Sequence, residues 1–523
     1  MIDSVRYLQY DDWTRRVAIP IALVLCAFVL RLYAALMPGI IVPDGVVYID
    51  TAKMIIAGQW QKVAALGVYS TYPFFIIVFQ KIFSNWETAG RMVSVVFGSL
   101  AVLPFYFLMK RMFDARIVLV ASLFFVIDPR LVEYSSNVIR EPVFWLFSLT
   151  ALWAAWEGMA KKSWIFMVCA SFFVGLAALT RMEGIGLALI ICLWLFWYYW
   201  KDKEFQIRNL LVLFLVFLVS FPVLFSMPLI AVKSKRGQWE IGHLGSKIPY
   251  ILKSGYKNAD AVFKQTLEES DAVSRIVARN KYAFFLWHAL HKFFRSFHVL
   301  FILLFIIGIT RRKVIPYGRR EIPIVIWWSV YCVISVSYMS QIYYLSTRHG
   351  MQMSIPALIW VSIGFFELSD LVQRYMAKVR PDWRYARKMS IYLLVVICMI
   401  ILPNTLSWSG YDKIEMKRAG IYLKKMGYSQ KRFAIEPRLI RLGFYTEGDY
   451  VVIPPYVSHV TLDTFLRVEG INYLVVDEKT VEDTIKGFKD HLRTFNLERI
   501  ELPELNTYRE YSIAVFAVKE KTR

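Results

Sequence analysis

Five stretches of this chain place ionisable side chains at the edge of a long apolar run, most of them beside proline or glycine. They are Asp44 in Pro43-Asp44-Gly45, Asp128 and Arg130 around Pro129 with Glu133 just behind, Arg140-Glu141-Pro142, Arg181 and Glu183 in Thr180-Arg181-Met182-Glu183-Gly184, and Arg348-His349. A carboxylate at such an edge can take a proton from a hydroxyl or an amine. An arginine there can hold a phosphate, because its planar fork donates paired, charge-assisted hydrogen bonds. Each residue also has an ordinary reading. Asp44 can cap a helix running from Gly45 to Gly58, and Arg140-Glu141 can be a helix-start charge pair with Pro142 in the first turn. Arg181 and Glu183 can pair to close a short connection, and His349 can satisfy a backbone carbonyl.

The elements that must position these groups are membrane spans. The chain has 523 residues, is 57% hydrophobic and has a mean hydropathy of +0.45, far above a soluble domain. Apolar runs that fit about 30 Å of hydrocarbon recur along it. Eleven spans are expected, at 17–37, 89–109, 117–127, 139–157, 164–180, 184–200, 208–232, 286–310, 322–340, 351–369 and 389–408. The first reads as a retained helix and not as a cleaved signal peptide. The net charge of +22 gathers in short loops such as Lys110-Arg111, Lys161-Lys162, Arg311 to Arg320 and Arg374 to Lys388. That distribution is a topology signal, not a nucleic-acid footprint, and puts those loops and the amino terminus in the cytoplasm. All five acid- and arginine-bearing stretches then face outward, where acids and arginines together fit transfer of a group from a phosphate-activated lipid. The five cysteines lie in apolar runs without metal-ligand or CxxC spacing and read as small buried hydrophobes.

Three pieces lie outside the spans. The first loop, 38–88, carries an amphipathic helix from Tyr48 to Gly58 and an apolar segment from Tyr72 to Phe83. A second loop, 233–285, is polar and basic, with a helical stretch from Asp260 to Tyr282. In the tail, Arg432–Ile435, Tyr450–Ile453, Tyr473–Val476 and Ser512–Val518 read as strands, and Glu415–Met426 and Val481–His491 as helices. The expected fold is mainly α: a polytopic transmembrane bundle over 1–408 and a small α/β extracytoplasmic domain over 409–523.

In their order along the chain, Asp44-Gly45, Tyr72-Pro73, Glu87 to Arg91, Tyr134-Ser135 before Arg140-Glu141-Pro142, Thr180-Arg181-x-Glu183-Gly184, and Arg348-His349 with Pro356 resemble the C-type (GT-C) membrane glycosyltransferases. The likeness is greatest to the protein O-mannosyltransferase and lipid A aminoarabinose transferase group, and it covers most of residues 17–370. It implies a polyprenyl-phosphate-linked sugar donor, an outer-face active site and inversion at the anomeric carbon. By that resemblance Asp44 falls on the first-loop catalytic carboxylate. Where many relatives carry Asp-Glu, this chain has Asp44-Gly45 and lacks the second acid. Glu141 falls near a second acidic position, and Arg348 near a basic residue implicated in donor binding. The candidate catalytic residues are thus Asp44 and Glu141. The candidate substrate-binding residues are Arg348, Arg181, Arg140, His349, Asp128, Tyr72 and Glu183.

The expected partners are the lipid-linked donor, a lipid, glycan or protein acceptor, and membrane lipids, without nucleic acid. No cofactor is expected, and the spacing of His243, His288, His291 and His298 diagnoses no metal site. A whole-oligosaccharide ligase is the alternative within the same fold. A lipid-linked-sugar transporter would instead need repeats and ionisable residues near the midplane. The absence of an Asn-x-Ser/Thr sequence favours a bacterial inner membrane. The topology predicts that a cysteine introduced in the tail reacts with an impermeant reagent in intact spheroplasts; labelling only after lysis would reverse the orientation.

Overall fold

The computed structural model describes residues 17–37, 39–65, 70–202, 204–236, 280–342, 344–379, 388–407, 414–453, 457–486, 488, 497–500 and 511–518. The expected helix from Asp260 and the residue His243 lie outside the described residues, the last three residues of that helix, 280–282, excepted. The chain divides into two compact units, one formed by Met1–Ala35 and Thr51–Ser407, the other by Leu36–Asp50 and Trp408–Arg523.

The larger unit is helical. Its elements are α1 (Ile19–Leu36), the last part of α2 (Pro43–Ile56), α3 (Trp60–Ala65), α4 (Tyr72–Phe83), α5 (Trp86–Leu100), α6 (Val102–Lys110), α7 (Ala115–Ile127) and α8 (Pro129–Ser136). They continue as α9 (Glu141–Ala160), α10 (Trp164–Thr180), α11 (Gly186–Lys201), α12 (Ile207–Arg236), α13 (Lys281–Arg295), α14 (Val299–Thr310), α15 (Ile322–Ile342), α16 (Thr347–Val379) and α17 (Met389–Leu406). Among the described residues seven helical stretches are long and apolar enough to cross a membrane. Shorter apolar helices occupy three more of the expected spans, at Ala115–Ile127, Trp164–Thr180 and Ile207–Pro222.

The span expected at 286–310 is not one rod. α13 and α14 meet at 115° across the break at Ser296 to His298. His298 caps α14 by accepting from the Leu300 N–H, while the Ser296 hydroxyl bonds back to the Phe293 carbonyl. Capping and a serine back-bond end one helix and begin another, which an apolar run alone does not reveal.

Without a hydrophobic drive between helices in lipid, close backbone approach and hydroxyl bonds hold the bundle. A Cβ on Gly308 of α14 would run into the Trp360 carbonyl of α16, and one on Gly364 into the Leu304 carbonyl. The Ser362 hydroxyl donates to Ile117 O at 2.8 Å and Thr405 to Ile127 O at 2.7 Å, tying α16 and α17 to α7. Arg31, buried within α1, donates to the carbonyls of Phe125 and Val126 at the end of α7.

The smaller unit carries a five-stranded sheet of order β2-β1-β4-β7-β6, formed by β1 (Arg432–Ile435), β2 (Asp449–Val452), β4 (Tyr473–Asp477), β6 (Leu497–Ile500) and β7 (Ile513–Val518). β1 runs parallel to β2 and β4, whereas β7 is antiparallel to β4 and β6. A short parallel pair joins β3 (Val457–Ser458) to β5 (Ile485–Lys486). The four expected strands are present within a residue of their expected ends. The helix expected over Val481–His491 stops at Thr484, because Ile485 turns extended to pair with Val457. β6 and the helices α19 (Ile440–Thr446) and α20 (His459–Val468), which follow α18 (Ile414–Lys425), were not foreseen.

Gly364→Ala should cost about 1–3 kcal/mol of stability, the usual penalty for overpacking. Thermal melting in detergent checks it, and an unchanged midpoint would mean that α14 and α16 separate readily.

Candidate functional site

Three helix ends in the larger unit deliver one charged cluster. Glu141 opens α9, Arg181 ends the extended step after α10, Glu183 sits in the 3-10 turn Met182–Ile185, and Arg348 and His349 lie in the first turn of α16. Arg181 is the centre. Its Nη1 bonds the Glu141 carboxylate, its Nη2 reaches Glu183 at 2.7 Å, and only 4% of its side chain is exposed. Glu141 is fully buried. Arg348 approaches the same Glu141 oxygen at 3.5 Å from the rim, 30% exposed. His349 Nε2 stands 3.4 Å from Glu183, and its ring lies 4.7 Å from that of Tyr338. Tyr338 is within electrostatic reach of Glu183, Arg181, Arg140 and Arg348, which draws Arg140 into the group. The other oxygen of Glu141, Oε2, is buried with no hydrogen-bond partner among the described residues.

The surrounding residues account for how three helix ends hold register. Thr180, immediately before Arg181, bonds Thr71 hydroxyl to hydroxyl at 2.6 Å. A Cβ on Gly184 would sit 2.5 Å from Ala178 N, so the turn carrying Glu183 folds this tightly only with glycine. Tyr72, completely buried, donates to Gly90 O at 2.7 Å and bonds Ser94 at 2.9 Å. Ser94 in turn donates to Ile139 O at 3.0 Å, one peptide from Arg140. A Cβ on Gly90 would press on Val138 at 2.7 Å. Thr71 and Tyr72 therefore set the two acids' helix starts from one point at the head of α4.

The other expected site residues fall elsewhere. Asp128 is buried and caps α8, accepting from Leu131 N at 2.8 Å, and it sits in the field of Arg31 and Arg130. Tyr72 reaches protein partners with its hydroxyl, as above. Arg91 donates to the Ala35 carbonyl at the end of α1 and pairs with Glu87.

Asp44 belongs to the smaller unit. The helix starts at Pro43, so Asp44 sits inside the first turn of α2 and is not its cap, with its carboxylate at the positive end of the helix dipole. The loop before it is pinned to the tail: Tyr445 Oη accepts from Ile41 N at 2.9 Å, and Lys417 Nζ donates to Gly39 O at 3.0 Å. Tyr450 donates to Asp50 six residues on, and burial together with that carboxylate holds its phenol well above the ordinary range. The tail residues Tyr445, Lys417 and Tyr450 carry no motif and were missed in the sequence, as were Tyr338, Thr71 and Ser94. Arg31 had a signal, a charge inside an apolar run. Among the described residues no group of three His, Cys, Asp or Glu side chains is placed to hold a metal ion.

This architecture has known counterparts. Residues 71–225 match the family model described as dolichyl-phosphate-mannose-protein mannosyltransferase. ArnT from Cupriavidus metallidurans bound to undecaprenyl phosphate superposes with a TM-score of 0.57 at 14% identity, covering 97% of this chain and 99% of that one. The fold is that of the C-type membrane glycosyltransferases. The Archaeoglobus fulgidus oligosaccharyltransferase in its apo form gives 0.57 at 11% identity, over 98% of this chain and 75% of that one. The same organism's AglB, in complex with an inhibitory peptide and a dolichol-phosphate, gives 0.55 at 12%, over 98% and 75%. No curated protein matches the chain in sequence. As an integral membrane protein of this C-type fold, the chain places the Arg181 cluster at the ends of spans and not at their middles.

Arg181 is enclosed by two carboxylates. Arg181→Met leaves two carboxylates facing each other and should cost about 3–5 kcal/mol, the price of breaking a buried pair. Arg348→Met, at the rim, should move the melting midpoint far less. Equal losses in detergent melts would contradict this division.

Proposed function

We propose that the protein moves a single sugar, a hexose or a pentose, from a polyprenyl-phosphate donor to a lipid, glycan or protein acceptor on the outer face of a bacterial inner membrane, with inversion. The observation that carries this reading is the Glu141 cluster: a rim arginine beside a buried acid whose second oxygen has no hydrogen-bond partner among the described residues. Arg348 and Arg140 neutralise the donor phosphate as it leaves, since preplaced cations stabilise developing charge most where water is scarce. Arg181, held between two carboxylates, positions Glu141 instead. Glu141, fully buried, holds Arg348 and Arg181 in place from behind the site. Asp44 takes the acceptor's proton as its oxygen or nitrogen attacks the anomeric carbon and the bond to phosphate breaks.

The structural neighbours support the donor class, since ArnT was seen with undecaprenyl phosphate and AglB with a dolichol-phosphate. Relative length favours one sugar over a whole oligosaccharide: the chain spans 99% of ArnT but 75% of the oligosaccharyltransferase. The basic loops support an amino terminus inside and a tail outside.

Asp44→Asn separates base from helix-start charge. Losing a first-turn carboxylate costs about 0.3–1 kcal/mol, whereas losing a general base lowers turnover by about 10²–10⁴-fold. Turnover of purified enzyme with a polyprenyl-phosphate sugar, read beside the melting midpoint, distinguishes them, and an active Asn variant ends the candidacy of Asp44. Arg348→Ala should impair turnover severely in a folded protein. Wild-type activity with a nucleotide sugar and none with the lipid-linked form would exclude this donor.

A further inference from the structure

The helices that carry the Glu141 cluster at one end carry a second charged site at the other. Glu157 lies sixteen residues along α9 from Glu141, about 24 Å at the helical rise, and Lys201 ends α11, which Glu183 precedes. Between these far ends opens a pocket of about 310 Å³ lined by Lys110, Arg111, Lys201 and Arg320, by Trp156 and Trp197, and by one acid, Asp114.

The pocket is strongly cationic. Glu157, buried behind it, is already engaged: Arg111 grips it through Nε and Nη2, the latter at 2.8 Å, and Lys161 reaches it at 3.0 Å. Asp114 meets Arg320 at 3.4 Å with both side chains mostly exposed, a pairing of little strength. Aromatic packing braces the walls. Trp156 packs edge-on against Trp194 at 5.5 Å and lies 6.0 Å from Trp197. Trp194 Nε1 donates to Pro323 O at 2.9 Å, which locks α11 to the start of α15 beside Arg320. Lys201 lies over the Trp197 ring at 5.1 Å.

One further feature selects among anions. Leu189, Leu193, Phe196 and Trp200 are all exposed, and their spacing puts them on one stripe of α11 that runs from mid-span to the turn carrying Lys201. An anion seated among the four cations would have an apolar track leading away from it into the bilayer. Tryptophan and lysine at a span end are the usual furniture of the headgroup layer, and basic pockets between spans bind lipid head groups.

We propose that this pocket holds the phosphate headgroup of an anionic membrane lipid on the face opposite the Glu141 cluster, with an acyl chain along the Leu189–Trp200 stripe. The site is independent of the sugar-transfer reading. Native mass spectrometry of the full chain in detergent tests it with phosphatidylglycerol, phosphatidylcholine and inorganic phosphate as probes. Phosphatidylglycerol should bind in preference to phosphatidylcholine, and Lys201→Gln with Arg320→Gln should weaken it about thirtyfold, as expected for two cations beside one headgroup. Arg374→Gln with Lys378→Gln, at the exposed far end of α16, should leave it unchanged. Arg320→Gln alone serves if the double variant does not fold, with a smaller loss expected. Equal binding of the two lipids, or undiminished phosphatidylglycerol binding in the pocket variants, would overturn the proposal. Displacement of the lipid by inorganic phosphate, but not by chloride at equal ionic strength, would assign the pocket to a free anion and overturn the lipid.

Discussion

Arg181 lies almost wholly out of water, and two carboxylates from different helix starts close on it. Taking three charges from water costs several kcal/mol per ion, which is recovered only if the geometry is held closely. Much of the neighbouring sequence can be understood as meeting that condition. Thr71 fixes Thr180, the residue before Arg181, Gly184 lets the next turn fold against α10, and the Tyr72–Ser94–Ile139 relay fixes the start of α9. A small shift at any of these contacts would lengthen a buried ion pair whose strength depends steeply on distance in a medium of low polarity.

That constraint divides the arginines by task. A guanidinium enclosed by two acids has its charge already answered, so it serves as the keystone of the cluster. One at the rim lies 3.5 Å from the shared oxygen and stays partly open to solvent. Glu141 has a comparable asymmetry within one side chain, since one oxygen is committed to arginine and the other has no partner among the described residues. The same helices repeat the arrangement at their far ends with the sign reversed in emphasis: there one buried acid, Glu157, is surrounded by excess cation.

The bilayer as solvent explains the rest of the larger unit. Burial of apolar surface gives little reason for one lipid-bathed helix to seek another, so association rests on glycine contacts at Gly308 and Gly364 and on hydroxyl bonds from Ser362 and Thr405. The smaller unit follows the rules of water, with a sheet whose buried faces pack on Leu462, Leu466 and Phe488. The segment carrying Asp44 belongs with this sheet domain although it follows the first span in the chain.

Hydropathy, loop charge and the short motifs by themselves determined the helical membrane class, seven of the eleven expected spans as helices long enough to cross a membrane, four strands of the tail, and Arg140, Glu141, Arg181, Glu183, Arg348 and His349 as residues worth placing together. They could do so because burial in lipid writes itself into runs of twenty apolar residues, and because a charge at a span end is costly enough to stand out. Tertiary structure alone decided that Arg181 is enclosed while Arg348 is open, that Asp128 caps α8, that the span near Ser296 bends by 115°, and that Asp44 stands inside a helix start pinned by Tyr445 and Lys417. The enclosure of Arg181 and the pinning of the loop before Asp44 depend on partners tens to hundreds of residues away, and a hydrogen bond between Ile41 and Tyr445 leaves no periodic trace at either end of the chain, whereas the Asp128 cap and the bend at Ser296 rest on local bonds that hydropathy does not weigh.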